Sequence, residues 1–209
     1  MTAGLRTIAD LLRDIGGIPA DRVRLRPAPG KATLDDVIQS EADDNRLCEL
    51  VDGVLVEKAI GFRESILAVF LIRLLEKYVA EHDLGVVTSS DGMMEISSGL
   101  VRIPDVAYIS WRRFPNRKIP ATPIPALAPD FAIEVLSASN TLSEMRRKRN
   151  EYFAAGVQLI WEVDPSAKSV AVYTEPESPT IFFAPCTITA APVLPDFSVS
   201  LLEWFRRID

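Results

Sequence analysis

Histidine and cysteine are nearly missing from this chain, which has one histidine, His82, and two cysteines, Cys48 and Cys186, in 209 residues. The cysteines are distant in sequence and show no CxxC spacing, so neither a disulfide framework nor a zinc ribbon is supported, and a reducing, cytoplasmic setting is expected. A Ser-His-Asp hydrolase would have to use His82, which sits near a helix end and reads as a surface residue, and no GxSxG elbow accompanies it. P-loop and GxGxxG signatures are absent as well. The longest apolar run, Ile66 to Ile72, falls far short of the roughly 20 residues that cross a bilayer, so no membrane span is expected. Arg6, Asp10, Arg13 and Asp14 interrupt any apolar stretch near the start, and no signal-peptide core is expected there. A basic surplus is lacking too. At a net charge of −6 the chain is a poor candidate for coating nucleic acid, because such affinity comes from releasing counterions with many Lys and Arg. Any nucleic-acid contact must be local.

What is present suits one generous core: 48% of the residues are hydrophobic, and the length leaves little room for a second domain. Residues 1–46 read as an N-terminal helix and an irregular arm packed on the core, and residues 47–209 as the core itself. The helix spans Thr7 to Ile15, with Ile8, Leu11, Leu12 and Ile15 on one face and Gly16-Gly17 ending it. From Leu47 a hairpin turns at Asp52-Gly53. Gly61 to Glu81 is apolar around much of its circumference and reads as a buried helix. Strands follow at Leu84 to Thr88, Met93 to Ser97 and Val101 to Ser110, the last broken by Pro104. Five prolines between Trp111 and Asp130 rule out regular structure there, and its basic first half reads as a substrate-facing flap or a solvated connection. Then come a strand at Phe131 to Leu136 and a helix at Thr141 to Ala155, with Thr141 and Glu144 in capping-box spacing. Strands at Gln158 to Val163, Ser169 to Thr174 and near Ile181 to Phe183, and a helix at Leu201 to Arg207, complete the chain.

Two acids stand where strands are normally apolar. Asp105 follows Pro104, and Glu134 lies mid-strand on the face of Ala132 and Leu136. An unpaired buried carboxylate costs several kcal/mol, so Glu134 must be protonated, paired or bound to a cation. Glu144, Lys148 and Tyr152 recur every four residues on the next helix, so Lys148 can point inward. Two strand carboxylates plus a helix lysine meet the needs of metal-assisted phosphodiester hydrolysis: oxygen ligands for Mg²⁺ and a cation near the attacking water.

The strings Glu49-Leu50-Val51-Asp52-Gly53, Arg102-Ile103-Pro104-Asp105-Val106 and Pro129-Asp130-Phe131-Ala132-Ile133-Glu134-Val135-Leu136-Ser137 resemble the Uma2 family of restriction-endonuclease-like proteins. Glu144, Lys148, Tyr152, Gly156-Val157 and Trp161-Glu162-Val163-Asp164-Pro165 continue the pattern in order. The resemblance runs from Leu47 to Tyr173, and Thr7 to Gly30 is similar to a bacterial subgroup. It implies a PD-(D/E)XK core of α/β (mixed α+β) class, a restriction-endonuclease-like mixed β-sheet flanked by helices. Asp105, Glu134 and the backbone carbonyl of Val135 would then hold Mg²⁺ or Mn²⁺. Lys148 would be the catalytic lysine and Glu49 a further acidic member. The implied substrate is nucleic acid, double-stranded DNA first, and a homodimer is plausible because many nucleases of this fold pair up to cut both strands. Two departures stand out. Leu136 occupies the usual lysine position, and Arg63-Glu64 stand where many relatives carry a histidine.

Plainer readings stand beside these. Asp105 after a proline is a common strand start, Lys148 alone reads as a solvated helix lysine, and Glu49 before a turn reads as exposed. Asp52 and Asp164 are turn acids. The run Arg146, Arg147, Lys148, Arg149 is a solvated face or a phosphate contact. The rivals to a nuclease are a catalytically silent nucleic-acid-binding or regulatory protein that keeps the fold, and a structural domain in which Glu134 and Lys148 form a buried ion pair.

Overall fold

The computed structural model describes residues 7–44, 46–59 and 61–209; the first six residues of the expected arm, Arg6 included, lie outside it. Helix α1 (Ile8–Asp14) starts where the Thr7 side chain accepts the Asp10 N–H, and it is followed by a 3₁₀ turn at Ala20–Arg22. Leu11, Ile15 and Ile18 pack on Val51, Val54 and Val56 of a hairpin. The stretch before that hairpin is not irregular throughout: it contains helix α2 (Leu34–Asp44). Thr33 and Asp36 cap its start. Its apolar face is short, made of Leu34, Val37 and Ile38, with the hydroxyl of Ser40 also buried, which is why periodicity fails to announce it.

The hairpin is β1 (Cys48–Val51) and β2 (Val54–Glu57). Asp52 and Gly53 both have positive φ, as a two-residue turn of the I′ kind demands. Gly53 is required twice over, since a Cβ there would lie 2.7 Å from the Gly30 carbonyl carbon. Next come α3 (Phe62–Glu81), β3 (Gly85–Thr88), β4 (Met94–Ser97), β5 (Leu100–Arg102) and β6 (Val106–Ser110). The single strand expected from Val101 to Ser110 is in fact β5 and β6, and they belong to different sheets. Ile103-Pro104-Asp105 is the crossing, and proline, lacking an N–H, suits such a break. The chain closes with β7 (Phe131–Val135), α4 (Leu142–Ala154), β8 (Leu159–Asp164), β9 (Ser169–Tyr173), β10 (Thr180–Phe183), β11 (Thr187–Ala190), β12 (Leu194–Ser200) and α5 (Leu201–Phe205).

The main sheet runs β10-β9-β8-β7-β6-β3. Its β7–β8 pair is parallel and joined through α4; the other pairs are antiparallel. This is the mixed sheet flanked by helices. One face packs on α3, α5 and the β11–β12 ribbon through Phe131, Ile133, Trp161 and Trp204. The other face, carrying Ala132 and Ile160, meets Tyr152 of α4. A smaller sheet, β2-β1-β5-β4, stands beside it. The β11–β12 ribbon is hard to see in the sequence because β11 is only 4 residues long and Pro195 interrupts the alternation of β12.

The proline-rich loop, residues 111–130, holds two 3₁₀ turns. It leaves β6 and enters β7 at the strand ends opposite Asp105 and Glu134. Two of its arginines serve the fold: Arg113 bonds Asp130 and the Gly156 carbonyl, and Arg117 pairs with Asp83 and covers the Trp111 ring. The flap reading therefore gives way to a connection tied down by its own cations. Among the described residues no helix is long and apolar enough to cross a membrane.

Candidate metal and nuclease centre

Asp105 and Glu134 meet because β6 and β7 are antiparallel neighbours, so the start of one strand lies beside the end of the other. The Val135 N–H donates to Asp105 Oδ2 at 2.7 Å, which fixes the aspartate next to the residue that follows Glu134. Glu134 is 5% exposed, and Tyr152 donates its hydroxyl to Oε1 at 2.7 Å. Lys148 reaches the same carboxylate at 3.3 and 3.4 Å. The four-residue spacing on α4 therefore turns Lys148 and Tyr152 inward together, and Lys148 is only 3% exposed. Glu144, on the same face one turn earlier, faces Arg22 instead at 3.0 Å.

Glu49 is in the cluster, not on the surface: it is 1% exposed. Its Oε1 lies 3.0 Å from Lys148 Nζ and accepts the Ile103 N–H at 3.2 Å. Its Oε2 takes Arg102 Nη1 at 2.6 Å. Arg102, also buried, continues to Glu151, which accepts Arg147 at 2.6 Å. Arg147 in turn reaches Asp52 of the hairpin turn at 2.8 Å, so one ionic chain runs from the surface to Glu134.

Three participants carry no site role in the sequence, although Arg102 and Glu162 stand within its motif strings. Lys58, just past β2, places Nζ 2.9 Å from Asp105 Oδ1 and donates to the Ile103 carbonyl at 2.5 Å; nothing in its local pattern separates it from a solvated lysine. Arg102 was visible only as part of a motif string. Glu162, in register with Glu134 on β8, is buried and paired with Arg149 at 2.7 Å. Of the basic run on α4, Arg147, Lys148 and Arg149 are thus engaged, while Arg146 is exposed. His82 caps α3 at the surface and holds the Tyr78 carbonyl.

The carboxylates differ in how well they are neutralised. Burial opposes ionisation of Glu49, but Lys148, Arg102 and Lys58 outweigh it and hold its carboxyl well below the usual range. Burial also dominates at Glu134, against the pull of Lys148 and Lys58, and the nearby Asp105 and Glu49 add to it, so that carboxyl is pushed up. Burial opposes the Lys148 ammonium, yet Glu134 and Glu49 prevail and hold it charged. Lys148 is therefore a fixed positive charge near neutral pH and not a proton acceptor.

Beside Asp105 lies a cavity of about 30 Å³, lined by Lys58, Gly61, Glu64, Val135 and Ser137 as well. It adjoins a groove of about 960 Å³ at Glu64 and Ser137, bordered by Arg63, Arg146 and Arg149 and also by Glu162 and Asp164. Among the described residues no three Asp, Glu, His or Cys side chains form a ready cation cage. The donor chemistry of Asp105 and Glu134 nonetheless suits a hard divalent ion. Both are carboxylates, and the cavity is about the size of one small occupant.

The mixed sheet flanked by helices, with Asp105 just before β6, Glu134 on β7 and Lys148 on the helix that follows, has the layout of a restriction-endonuclease-like fold. The chain belongs to the Uma2 family, whose model, described as "Putative restriction endonuclease", matches residues 34–202. Among solved structures, one described as a "putative nuclease belonging to DUF820" from Anabaena variabilis shares the fold at a TM-score of 0.69. It is 19% identical, over 78% of this chain and 92% of that one. No curated protein matches the chain.

Proposed function

We propose that the protein is a metal-dependent endonuclease that hydrolyses phosphodiester bonds of DNA. The observation that carries this reading is the Val135 N–H bond to Asp105, which brackets Asp105 and Glu134 together beside Lys148. Asp105, Glu134 and the Val135 carbonyl would hold Mg²⁺ or Mn²⁺, and the bound ion would supply Lewis-acid polarisation of the phosphate and a more acidic water. Lys148, held as an ammonium, stabilises the negative charge that grows on the phosphoryl oxygens as water attacks phosphorus and the P–O bond breaks. The proton lost by that water passes to solvent, and the departing oxygen takes a proton from solvent, so the step balances without a residue base. Glu49 and Tyr152 fix Lys148 and Glu134 in place, since each spends a hydrogen bond or ion pair on them. Arg146 and Arg63, on the rim of the groove, are the residues to meet backbone phosphates. Cutting both strands would call on two copies of the chain.

A second reading draws on the ion pair between Lys58 and Asp105 and on Leu136 at the usual lysine position: a nucleic-acid-binding relative that keeps the fold without cleavage. Supercoiled plasmid incubated with the purified protein in Mg²⁺ or Mn²⁺ separates the two. Nicking that EDTA and Glu134→Ala both abolish is the expected result. Metal and DNA binding without nicking favours the silent relative, and no metal binding at all favours a structural ion pair.

A further inference from the structure

Lys58 is the cation that the functional reading leaves unused. Its backbone N–H is fixed on the Leu47 carbonyl at 2.9 Å, and its side chain is 4% exposed and ends on Asp105 Oδ1. A buried ammonium is costly unless a carboxylate compensates it. Asp105 is that partner, and its other oxygen is already committed to the Val135 N–H. Lys58 also acts at longer range on Glu134 and Glu49. It lines the small cavity together with Asp105 and Val135, so its charge stands on the oxygen that a divalent ion would have to use.

The geometry points to Lys58 as a resident counter-ion that holds the Asp105 carboxylate in its bracketed orientation and competes with a divalent ion for Oδ1. This rests on the metal-dependent reading of the same site. Without Lys58, Asp105 would lose its cation and keep the Val135 N–H, while Glu134 would still hold Lys148 and Tyr152. With it, metal binding requires the ammonium to leave Oδ1. Lys58 is thus a positioning residue that sets the metal affinity, and the ion it yields to must bring enough charge to displace it. Two ammonium groups, Lys58 and Lys148, then divide the cluster. Lys148 is shared by Glu49 and Glu134 and stays; Lys58 serves Asp105 and is exchanged.

The test is Mn²⁺ binding by isothermal titration, without DNA, for the wild type, Lys58→Met and Lys58→Arg, with melting temperatures in EDTA as the check on folding. Lys58→Met is expected to bind Mn²⁺ about tenfold more tightly than wild type, within the usual span of site-to-site coupling. It should melt lower in EDTA and recover on adding Mn²⁺, because the ion replaces the missing charge. Lys58→Arg keeps the charge and is expected to bind like wild type. Equal or weaker binding by folded Lys58→Met, while wild type binds, overturns the inference and leaves the metal centre standing. Tighter binding by Lys58→Arg as well as Lys58→Met assigns the effect to packing and overturns it too. If neither wild type nor Lys58→Met binds Mn²⁺, the metal-dependent reading falls and this inference with it.

Discussion

A buried acid stands just before strand β7 and another near its end, and the two are treated differently. At its entrance Asp130 accepts the Ser110 N–H at 2.7 Å, Arg113 at 3.0 Å and Gln158 at 3.2 Å. Those partners come from the loop, β6 and the turn before β8, and they close the acid in. At its exit Glu134 shares one ammonium with Glu49 across longer contacts, and the Asp105 beside it borders a cavity. Under the proposed reading, the contrast is that between a structural buried acid and a reactive one. Asp130 has a guanidinium to itself and two further N–H donors; Glu134 has the Tyr152 hydroxyl but divides its one close ammonium with a second carboxylate.

The comparison can be broken at several points. Arg102→Met removes a buried partner that Glu49 and Glu151 share deep in the ionic chain. Breaking a buried pair from one side typically costs about 3–5 kcal/mol, to be read from urea denaturation; a loss under about 1 kcal/mol would mean that the chain is dispensable. A pH series on Glu49→Gln sharpens the same point. The Glu49 carboxyl ordinarily titrates near 4.5 and is held lower in the folded protein. Its ion pairs therefore add stability that is fully present above that ordinary value and is lost as pH falls through the lowered one. The wild type should accordingly exceed Glu49→Gln in stability at pH 7, with the gap closing in acid. A gap independent of pH would assign the effect to packing. The smallest effect is expected from Arg146→Ala. Stability should change by no more than about 0.5 kcal/mol, while DNA binding weakens across sequences and the salt slope drops by about one.

Much of this was legible in the sequence, for identifiable reasons. Glu134 announces itself because an acid in Phe-Ala-Ile-Glu-Val violates the pattern of a buried strand, and Lys148 and Tyr152 follow from helical spacing. The Thr141–Glu144 capping box appears where its spacing puts it. Lys58, by contrast, reaches Asp105 only because β1–β2 folds against the crossing between β5 and β6, a meeting of segments 45 or more residues apart. Glu49 looked like an exposed turn neighbour because its partners, Arg102 and Lys148, come from other elements. Periodicity reports which face a residue takes within its own element, and it is silent about which segments that face will meet.

The most direct test sets the two ends of β7 against each other: plasmid nicking in Mn²⁺ by folded Glu134→Gln and folded Asp130→Asn, each assayed below its melting temperature. Loss of nicking in Glu134→Gln, with nicking kept by an Asp130→Asn protein that merely melts earlier, is the expected result. Nicking that survives Glu134→Gln, or that is lost equally in both, would contradict a reactive centre at the exit of the strand.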